Sequence, residues 1–250
     1  MNDRPLLQVS QLRKAFGGVQ AINQVSFNVS PGELLGIIGP NGSGKTTIVN
    51  LITGFVKPTS GEIIYKGTTI TNWPPHRIVR LGIARTFQMV KPFYQLPAYK
   101  NMIIPLYSPR VKGLVGGKYG DRDAVALDLL EDVGFERDSF VAYKVASVLP
   151  QGYLKRLELA KAMALQPDLL ILDELFSGLS LAEVASMVPI IEKLRQEGKT
   201  IIMIEHRLKE LFRIADRILV LNYGTKIAEG AAEQVMENEN VKNADLGTEA

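Results

Sequence analysis

Apolar and polar residues along this chain follow patterns that predict a sheet with helices on both faces. Three segments contain short, unbroken apolar runs. They are LLGIIG at residues 34–39, DLLILDE at 168–174 and TIIMIEH at 200–206. Unbroken apolar runs of this kind are typical of strands that are covered on both faces. Helical patterns alternate with strands through most of the second half of the chain, so the crossovers are expected to be parallel.

The N-terminal part of the chain has a different pattern. LLQVSQLRKAF and then VQAINQVSFNVSPGELLGIIG alternate apolar and polar residues, with Gly and Pro between them, which predicts short, partly half-buried antiparallel strands. Further along, RDAVALDLLEDVGF has apolar residues at Val125, Leu129 and Val133, a spacing that predicts an amphipathic helix. No stretch approaches the roughly 18–20 apolar residues of a membrane span. The chain is therefore expected to reach a membrane only by binding a protein that spans it.

Composition narrows the class of function. The chain has 250 residues, of which 46% are hydrophobic and 22% charged, and its net charge is +3. This small charge, spread along the sequence, does not suggest electrostatic capture of nucleic acid. The chain has no cysteine, which excludes disulfides and thiolate metal sites. Its two histidines, His76 and His206, do not have HxxxH spacing, which argues against a histidine-rich metal site.

The segment GPNGSGKTT follows the first buried strand and precedes a helical pattern. It matches G-x-x-x-x-G-K-[ST], which in this context wraps a phosphate chain. Glycines let backbone N–H groups turn towards the phosphates, Lys45 reaches the terminal phosphates, and the Thr46 hydroxyl ligates Mg²⁺. The alternative is a glycine-rich turn that matches by chance. The predicted nucleotide-binding residues of this segment are Gly39, Pro40, Asn41, Gly42, Ser43, Gly44, Lys45, Thr46 and Thr47.

Two acids and a histidine end the later buried strands. Asp173 and Glu174 end the first of them, at the edge where a parallel α/β sheet holds its ligand. Asp173 is predicted to hold Mg²⁺ through water, and Glu174 to polarise the attacking water. His206 ends the other strand and can hydrogen-bond the γ-phosphate. The alternatives are acids that cap a helix and a histidine with a structural role.

Five separated motifs, in this order, resemble those of the nucleotide-binding subunit of ABC transporters. They are GPNGSGKTT, RTFQ at 85–88, LPQGYLKRLELAKA, LLILDE and IIEH. More closely, ARTFQMVKPF, the long connection after it, LDELFSGLS and the ending VKNADLG look like the ATPase subunits of branched-chain amino acid importers. The likeness covers nearly the whole chain.

The resemblance implies an α/β fold: a P-loop NTPase core with a mostly parallel sheet, an N-terminal antiparallel β subdomain and a helical subdomain. It implies one ATP-binding domain over residues 1–250, with the core at about 1–90 and 160–240 and the helical subdomain at about 91–160. It also implies that Phe16 stacks on adenine, and that Gln88 senses Mg²⁺ and contacts the membrane partner. A buried core residue is the alternative for Phe16.

The segment LPQGY stands where these subunits carry their signature, commonly LSGGQ, and LxYGQ in the importers. The signature contacts the γ-phosphate of ATP held by the opposite subunit. Proline is tolerated in the first turn of a helix, and glycine allows backbone to approach phosphate closely. The residues implied in this contact are Leu149, Pro150, Gln151, Gly152 and Tyr153.

This segment and its neighbourhood depart from the family pattern. Gln151 and Tyr153 look exchanged, and Pro150 replaces the usual Ser. Leu175 replaces the Pro that usually follows the two acids, and Ser180 replaces an Asp or Asn that usually contacts the other subunit. One interpretation is a weakened contribution to the partner's ATP site. The other is tolerated drift, since the helix dipole and the backbone N–H groups remain.

The resemblance implies an ATP-hydrolysing subunit that uses ATP and Mg²⁺ to energise import of a solute, an amino acid on the closer likeness. The implied partners are membrane permease subunits, a second ATP-binding subunit (a copy or a paralogue) and a solute-binding protein, with no nucleic acid. The implied location is the cytoplasmic face of the membrane. Alternatives are a non-transport ABC ATPase that acts as a switch and a P-loop small-molecule kinase.

Overall fold

The structure is a computed structural model that describes residues 4–114 and 121–244. Parts of the connection after ARTFQMVKPF and of the ending VKNADLG lie outside these residues. The strands are β1 (Leu7–Phe16), β2 (Val19–Val29), β3 (Leu34–Ile38), β4 (Ser60–Tyr65), β5 (Thr68–Thr69), β6 (Ile83–Arg85), β7 (Leu169–Asp173), β8 (Thr200–Ile204), β9 (Arg217–Asn222) and β10 (Thr225–Gly230). The α-helices are α1 (Lys45–Ile52), α2 (Pro75–Leu81), α3 (Ile103–Leu106), α4 (Pro109–Leu114), α5 (Arg122–Asp132), α6 (Gln151–Met163), α7 (Leu181–Gln196), α8 (Leu208–Ile214), α9 (Ala232–Glu237) and α10 (Glu239–Lys242).

The chain forms two compact units. The first contains the residues up to 78 and those from 195 onwards, and the second contains residues 79–194. The predicted division into an ATPase core and a helical part at about 91–160 remains a prediction. Among the described residues, no helix has both the length and the apolar character that a membrane crossing requires.

The first unit holds the antiparallel strands and most of the parallel ones. Strand β1 pairs with β2 and with β4, and β5 pairs with β4, all antiparallel. Strand β3 pairs in parallel with β8 and β9, and β10 returns antiparallel along β9. Every residue of β3 and β8 is buried, as their unbroken apolar runs predict.

Strands β1 and β2 are longer than the alternation predicts, at 10 and 11 residues. The ladder between them shifts register at several positions, the first between Val9 and Leu12. An irregularity of this kind inserts a residue and changes which side chains point inward. The alternation of apolar and polar residues is therefore interrupted while the strand continues, which explains why the strands were expected to be short.

The second unit contains a short parallel pair, β6 with β7, together with helices α3 to α6 and most of α7. In α5 the buried residues are Ala126 and Leu130, followed by Val133 just after the helix. Val125 and Leu129 are only partly buried, so the predicted stripe is wrong at those two positions. Each lies one residue before a buried position, because neighbouring elements rather than hydrophobicity alone select the buried face of a short helix.

Candidate functional site

Residues 39–44 connect β3 to α1 in a backbone conformation that requires glycine, and residues 45–47 form the first turn of α1. Gly39 and Gly44 have φ of +149° and +105°, values that residues with a Cβ rarely adopt. A Cβ on Gly39 would lie 2.1 Å from the Leu221 carbonyl oxygen, and a Cβ on Gly44 would lie 2.6 Å from Ile22 Cδ1. The loop is thus packed closely on β9 and β2. It leads into the N-terminus of α1, where unpaired N–H groups favour an anion.

Two polar side chains of this loop are buried. The Lys45 ammonium donates to the carbonyl oxygens of Gly39 at 2.7 Å and Pro40 at 3.0 Å. Ser43 Oγ has no hydrogen-bond partner among the described residues. A buried hydroxyl without a partner costs about 1–3 kcal/mol, which a phosphate oxygen would offset. The cation and the unsatisfied hydroxyl both fit the predicted phosphate chain.

Asp173, the last residue of β7, forms a buried ion pair. Its Oδ2 accepts from Arg85 at the end of β6 at 2.7 Å, and its backbone N–H donates to Thr86 Oγ1 at 3.2 Å. Burial raises the pKa of Asp173, and the Arg85 guanidinium opposes that shift. Burial also lowers the pKa of Arg85. Asp173 Oδ1 has no partner among the described residues, so one carboxylate oxygen remains open to a ligand.

Gln88 and Glu174, two predicted catalytic residues, are in direct contact. Gln88 Nε2 donates to Glu174 Oε2 at 2.6 Å, although the two residues are 86 positions apart. Glu174 is 9% exposed and has a φ of +50°. A residue other than glycine in this left-handed region costs roughly 1–3 kcal/mol and persists only where its surroundings hold it.

Two cations that the sequence motifs did not single out contact these residues. Arg85 pairs with Asp173, and the Lys155 ammonium donates to the carbonyl oxygens of Gln88 at 3.0 Å and Glu174 at 2.9 Å. Both cations lie within motifs already singled out, RTFQ and LPQGYLKRLELAKA. The sequence feature that could have indicated them is a basic residue among residues predicted to be buried, because a buried Lys or Arg usually has a specific partner.

The signature segment leads into α6. The helix begins at Gln151, with Pro150 in the N-cap position before the first turn. A Cβ on Gly152 would come 2.5 Å from Glu183 Oε1, so a carboxylate already lies close to this helix start. Glu183 Oε2 accepts from the backbone N–H and from the hydroxyl of Ser180, each at 2.8 Å. The hydrogen bond from the Ser180 backbone is the main reason that the pKa of Glu183 is lowered.

Tyr153, at the end of the signature segment, has a packing partner. Its ring meets that of Phe135 edge-on, with centroids 5.0 Å apart and planes at 67°. Phe135 is buried. Aromatic pairs of this kind contribute about 0.5–1.5 kcal/mol beyond the area they bury. The aromatic residue at position 153 is therefore part of the packing of the second unit.

Phe16 and His206 lie in the first unit, as does the phosphate loop. Phe16 ends β1 and is 48% exposed, with Lys14 Nζ 4.8 Å from the centre of its ring. This exposure excludes the alternative of a buried core residue. His206 is exposed and comes two residues after the end of β8.

Comparison with known proteins identifies the family. The sequence pattern described as "ABC transporter" matches residues 22–177. This chain belongs to the ABC transporter family. It is 38% identical to the high-affinity branched-chain amino acid transport ATP-binding protein LivG of Escherichia coli, with 98% of each chain covered. It is 37% identical to BraF of Pseudomonas aeruginosa, a protein of the same description, again with 98% of each chain covered.

Solved ABC cassettes have the same fold. A nucleotide-free ATP-binding cassette from an ABC transporter superposes with a TM-score of 0.85 at 29% identity, over 96% of this chain and 98% of that one. A bacterial ABC transporter cassette solved as a dimer gives 0.79 at 25% identity, over 90% and 98%. These findings confirm the predicted fold class and the resemblance. The chain is an ATPase of the ABC family.

The family assignment leaves the role of each site residue a prediction. The structure brings together two sets of predicted residues, one in each unit. The phosphate loop lies in the first unit, and Gln88, Asp173 and Glu174 lie in the second. The described residues contain no cluster of three or more His, Cys, Asp or Glu side chains that could hold a metal ion.

Proposed function

We propose that this chain is the ATP-hydrolysing subunit of an ABC importer that carries an amino acid through a membrane permease. The observation that carries the proposal is the 38% identity, over 98% of both chains, to a branched-chain amino acid transport ATP-binding protein. A likeness over the full length includes the segments that would contact the permease as well as the nucleotide. No observation favours a non-transport switch or a small-molecule kinase.

The phosphate loop would hold the nucleotide. Lys45 now donates to two loop carbonyls, and it would reach the terminal phosphates of ATP. Phe16, exposed at the end of β1, would stack on the adenine, a contact worth about 1–3 kcal/mol. Thr46, Asp173 and Gln88 would hold Mg²⁺, which when bound supplies positive charge beside the phosphates. The open Oδ1 of Asp173 suits this role.

Glu174 would act as the general base. Its Oε2 accepts from Gln88, which fixes the carboxylate, and an ionised carboxylate can accept several hydrogen bonds, including one from a water molecule. His206 would hydrogen-bond the γ-phosphate and stabilise the charge that develops on it. The chemistry is then attack of water on the γ-phosphorus, with the water proton passing to the Glu174 carboxylate and ADP leaving.

A second ATP-binding subunit, a copy or a paralogue, would complete the ATPase. The start of α6 would be offered to the γ-phosphate held by that subunit, because a helix N-terminus favours an anion. In this chain the Glu183 carboxylate lies close to Gly152, so it would have to shift as the phosphate approaches. The two subunits would then close only while the γ-phosphate is present, and hydrolysis would allow the pair to reopen.

Exchanging residues 151 and 153, which restores the importer pattern LPYGQ, is expected to destabilise the second unit. The exchange removes the ring of Tyr153 from Phe135, at a cost of about 0.5–1.5 kcal/mol. That loss corresponds to a fall of roughly 1–6 °C in Tm for a chain of this size. Thermal unfolding measures it, and replacement of the exposed Gln151 by Tyr alone is the control, expected to leave Tm unchanged. ATPase activity above the wild-type level after the exchange would show that Gln151 and Tyr153 weaken the signature segment. An unchanged Tm would contradict the packing role of Tyr153.

The segment after Gln88 would dock on the permease. It is a loop with exposed apolar side chains, a feature that marks protein interaction sites. They are Met89, Phe93, Tyr94 and Leu96, with Met89 the most exposed at 71%. This docking would hold the chain at the cytoplasmic face of the membrane. A solute-binding protein of the same system would be a further partner of the transporter.

The proposed function is tested by reconstituting the chain with candidate permease subunits and a candidate solute-binding protein, to be sought among the neighbouring genes. ATP-dependent uptake of labelled leucine is the expected result. Met89→Asp is expected to keep ATP hydrolysis in solution and to lose at least about tenfold in uptake, since a charge in the centre of an apolar interface costs several kcal/mol. Met236→Asp, at an exposed position of α9, is the matched control and should support full uptake. Absence of uptake with the wild-type chain, or ATP-driven export, would overturn the proposal.

A further inference from the structure

Lys155 on α6 is a buried lysine that has no part in the proposed binding or hydrolysis of ATP. The residue is 1% exposed. It follows Gln151 by four residues, so it lies about one helical turn, roughly 6 Å, beyond the first residue of the helix. The signature segment and this ammonium therefore belong to the same rigid element.

The ammonium of Lys155 binds the backbone of both residues proposed to handle the attacking water. It donates to the Gln88 carbonyl at 3.0 Å and to the Glu174 carbonyl at 2.9 Å. The side chains of the same two residues meet each other at 2.6 Å. Gln88 and Glu174 are thus joined twice, directly through their side chains and through the ammonium that binds their carbonyl groups.

A buried lysine at this position has an energetic cost that a purely structural residue would avoid. Burying an ammonium is unfavourable unless its donors are satisfied, and a Leu or Met of similar length would fill the same volume without that cost. The backbone that Lys155 holds is also strained, because Glu174 has a φ of +50°. Such a conformation persists only where surrounding contacts determine it. The hydrogen bond to the Glu174 carbonyl is one such contact.

We infer that Lys155 is a positioning residue for hydrolysis, which holds the backbones of Gln88 and Glu174 in register and connects both to the signature helix. In this role Lys155 acts through the backbone carbonyl groups of Gln88 and Glu174. The inference rests on the proposed role of Glu174 as the base. A movement of α6 when its N-terminus meets the opposite nucleotide would reach Glu174 through this ammonium, so that engagement of the signature and activation of water are coupled.

The test compares Lys155→Met, Lys155→Gln and Lys155→Arg in the full-length chain. Loss of the ammonium is expected to lower kcat by about 10- to 100-fold while KM for ATP changes by less than about threefold, because a contact made to the base rather than to the substrate is removed. Lys155→Arg is expected to restore kcat to within about fivefold of wild type, since a guanidinium can donate to two carbonyls. A residue that only fills space would show no such rescue.

Lys161→Met is the matched control, since Lys161 lies on the same helix and its ammonium pairs with Glu158 at 2.9 Å. It is expected to keep wild-type kcat. In a Glu174→Gln background, Lys155→Met should cause less than about a twofold further loss, because residues that act as a unit are not additive. If Lys155→Met shows no cooperative melting, the Gln and Arg variants decide the question.

Three results would overturn this inference: a kcat within about twofold of wild type for Lys155→Gln, an undiminished further loss in the Glu174→Gln background, or failure of Lys155→Arg to recover activity. The experiment also separates this inference from the proposed base role of Glu174. If that base role is wrong, Glu174→Gln alone will keep full activity. A normal Lys155→Gln beside an inactive Glu174→Gln would remove only the role of Lys155.

Discussion

Glu174→Gln is expected to lower the rate of ATP hydrolysis by about 10²- to 10⁴-fold, the usual contribution of a general base. ATP binding should stay within about threefold of wild type, because base removal affects the transition state and not the ground state. The amide keeps an oxygen that can accept from Gln88, whose Nε2 donates to Glu174 Oε2 at 2.6 Å. The substitution therefore changes the proton acceptor with little change of shape. Steady-state phosphate release and binding of a fluorescent ATP analogue measure the two quantities.

The matched control for this experiment is Glu136→Gln, at an exposed position of the same unit. It is expected to hydrolyse ATP at the wild-type rate. Hydrolysis by Glu174→Gln at more than about a tenth of the wild-type rate would show that another group accepts the proton. A joint loss of hydrolysis and binding would instead indicate that Glu174 supports the fold of the site.

Lys45→Met is expected to weaken ATP binding by at least about 100-fold. Hydrogen bonds to charged groups contribute roughly 1.5–3 kcal/mol each, and each 1.4 kcal/mol is about tenfold in affinity. The ammonium is already held in the loop by the Gly39 and Pro40 carbonyls, so little side-chain freedom is lost when ATP binds. Titration calorimetry with ATP measures the effect directly.

Lys57→Met serves as the control for this variant, because Lys57 is an exposed lysine of the same unit. Its affinity for ATP should equal that of the wild type. Lys45→Met must also show a normal melting curve, since it leaves two loop carbonyls without their donor. Retained affinity in a folded Lys45→Met chain would mean that the loop does not bind the terminal phosphates.

Local patterns predicted much of the fold and the backbone conformation of the candidate phosphate loop. The buried strands β3, β7 and β8 follow from unbroken apolar runs, because a strand covered on both faces admits few polar residues. The phosphate loop follows from glycines that its backbone requires. The buried face of α5 was misplaced, since Leu129 is only partly buried whereas Leu130 is fully buried. Neighbouring elements select between such adjacent apolar residues.

By itself, the sequence determined the phosphate loop, the acids that end β7 and the start of the signature helix. Those features arise within a few residues, from glycine stereochemistry, side-chain periodicity and the unpaired N–H groups of a helix end. Only the tertiary structure decided that Arg85 neutralises Asp173 and that Lys155 holds Gln88 and Glu174. These contacts join segments 88 and 67 residues apart, and the burial that makes a lone cation unfavourable exists only once those segments have packed together.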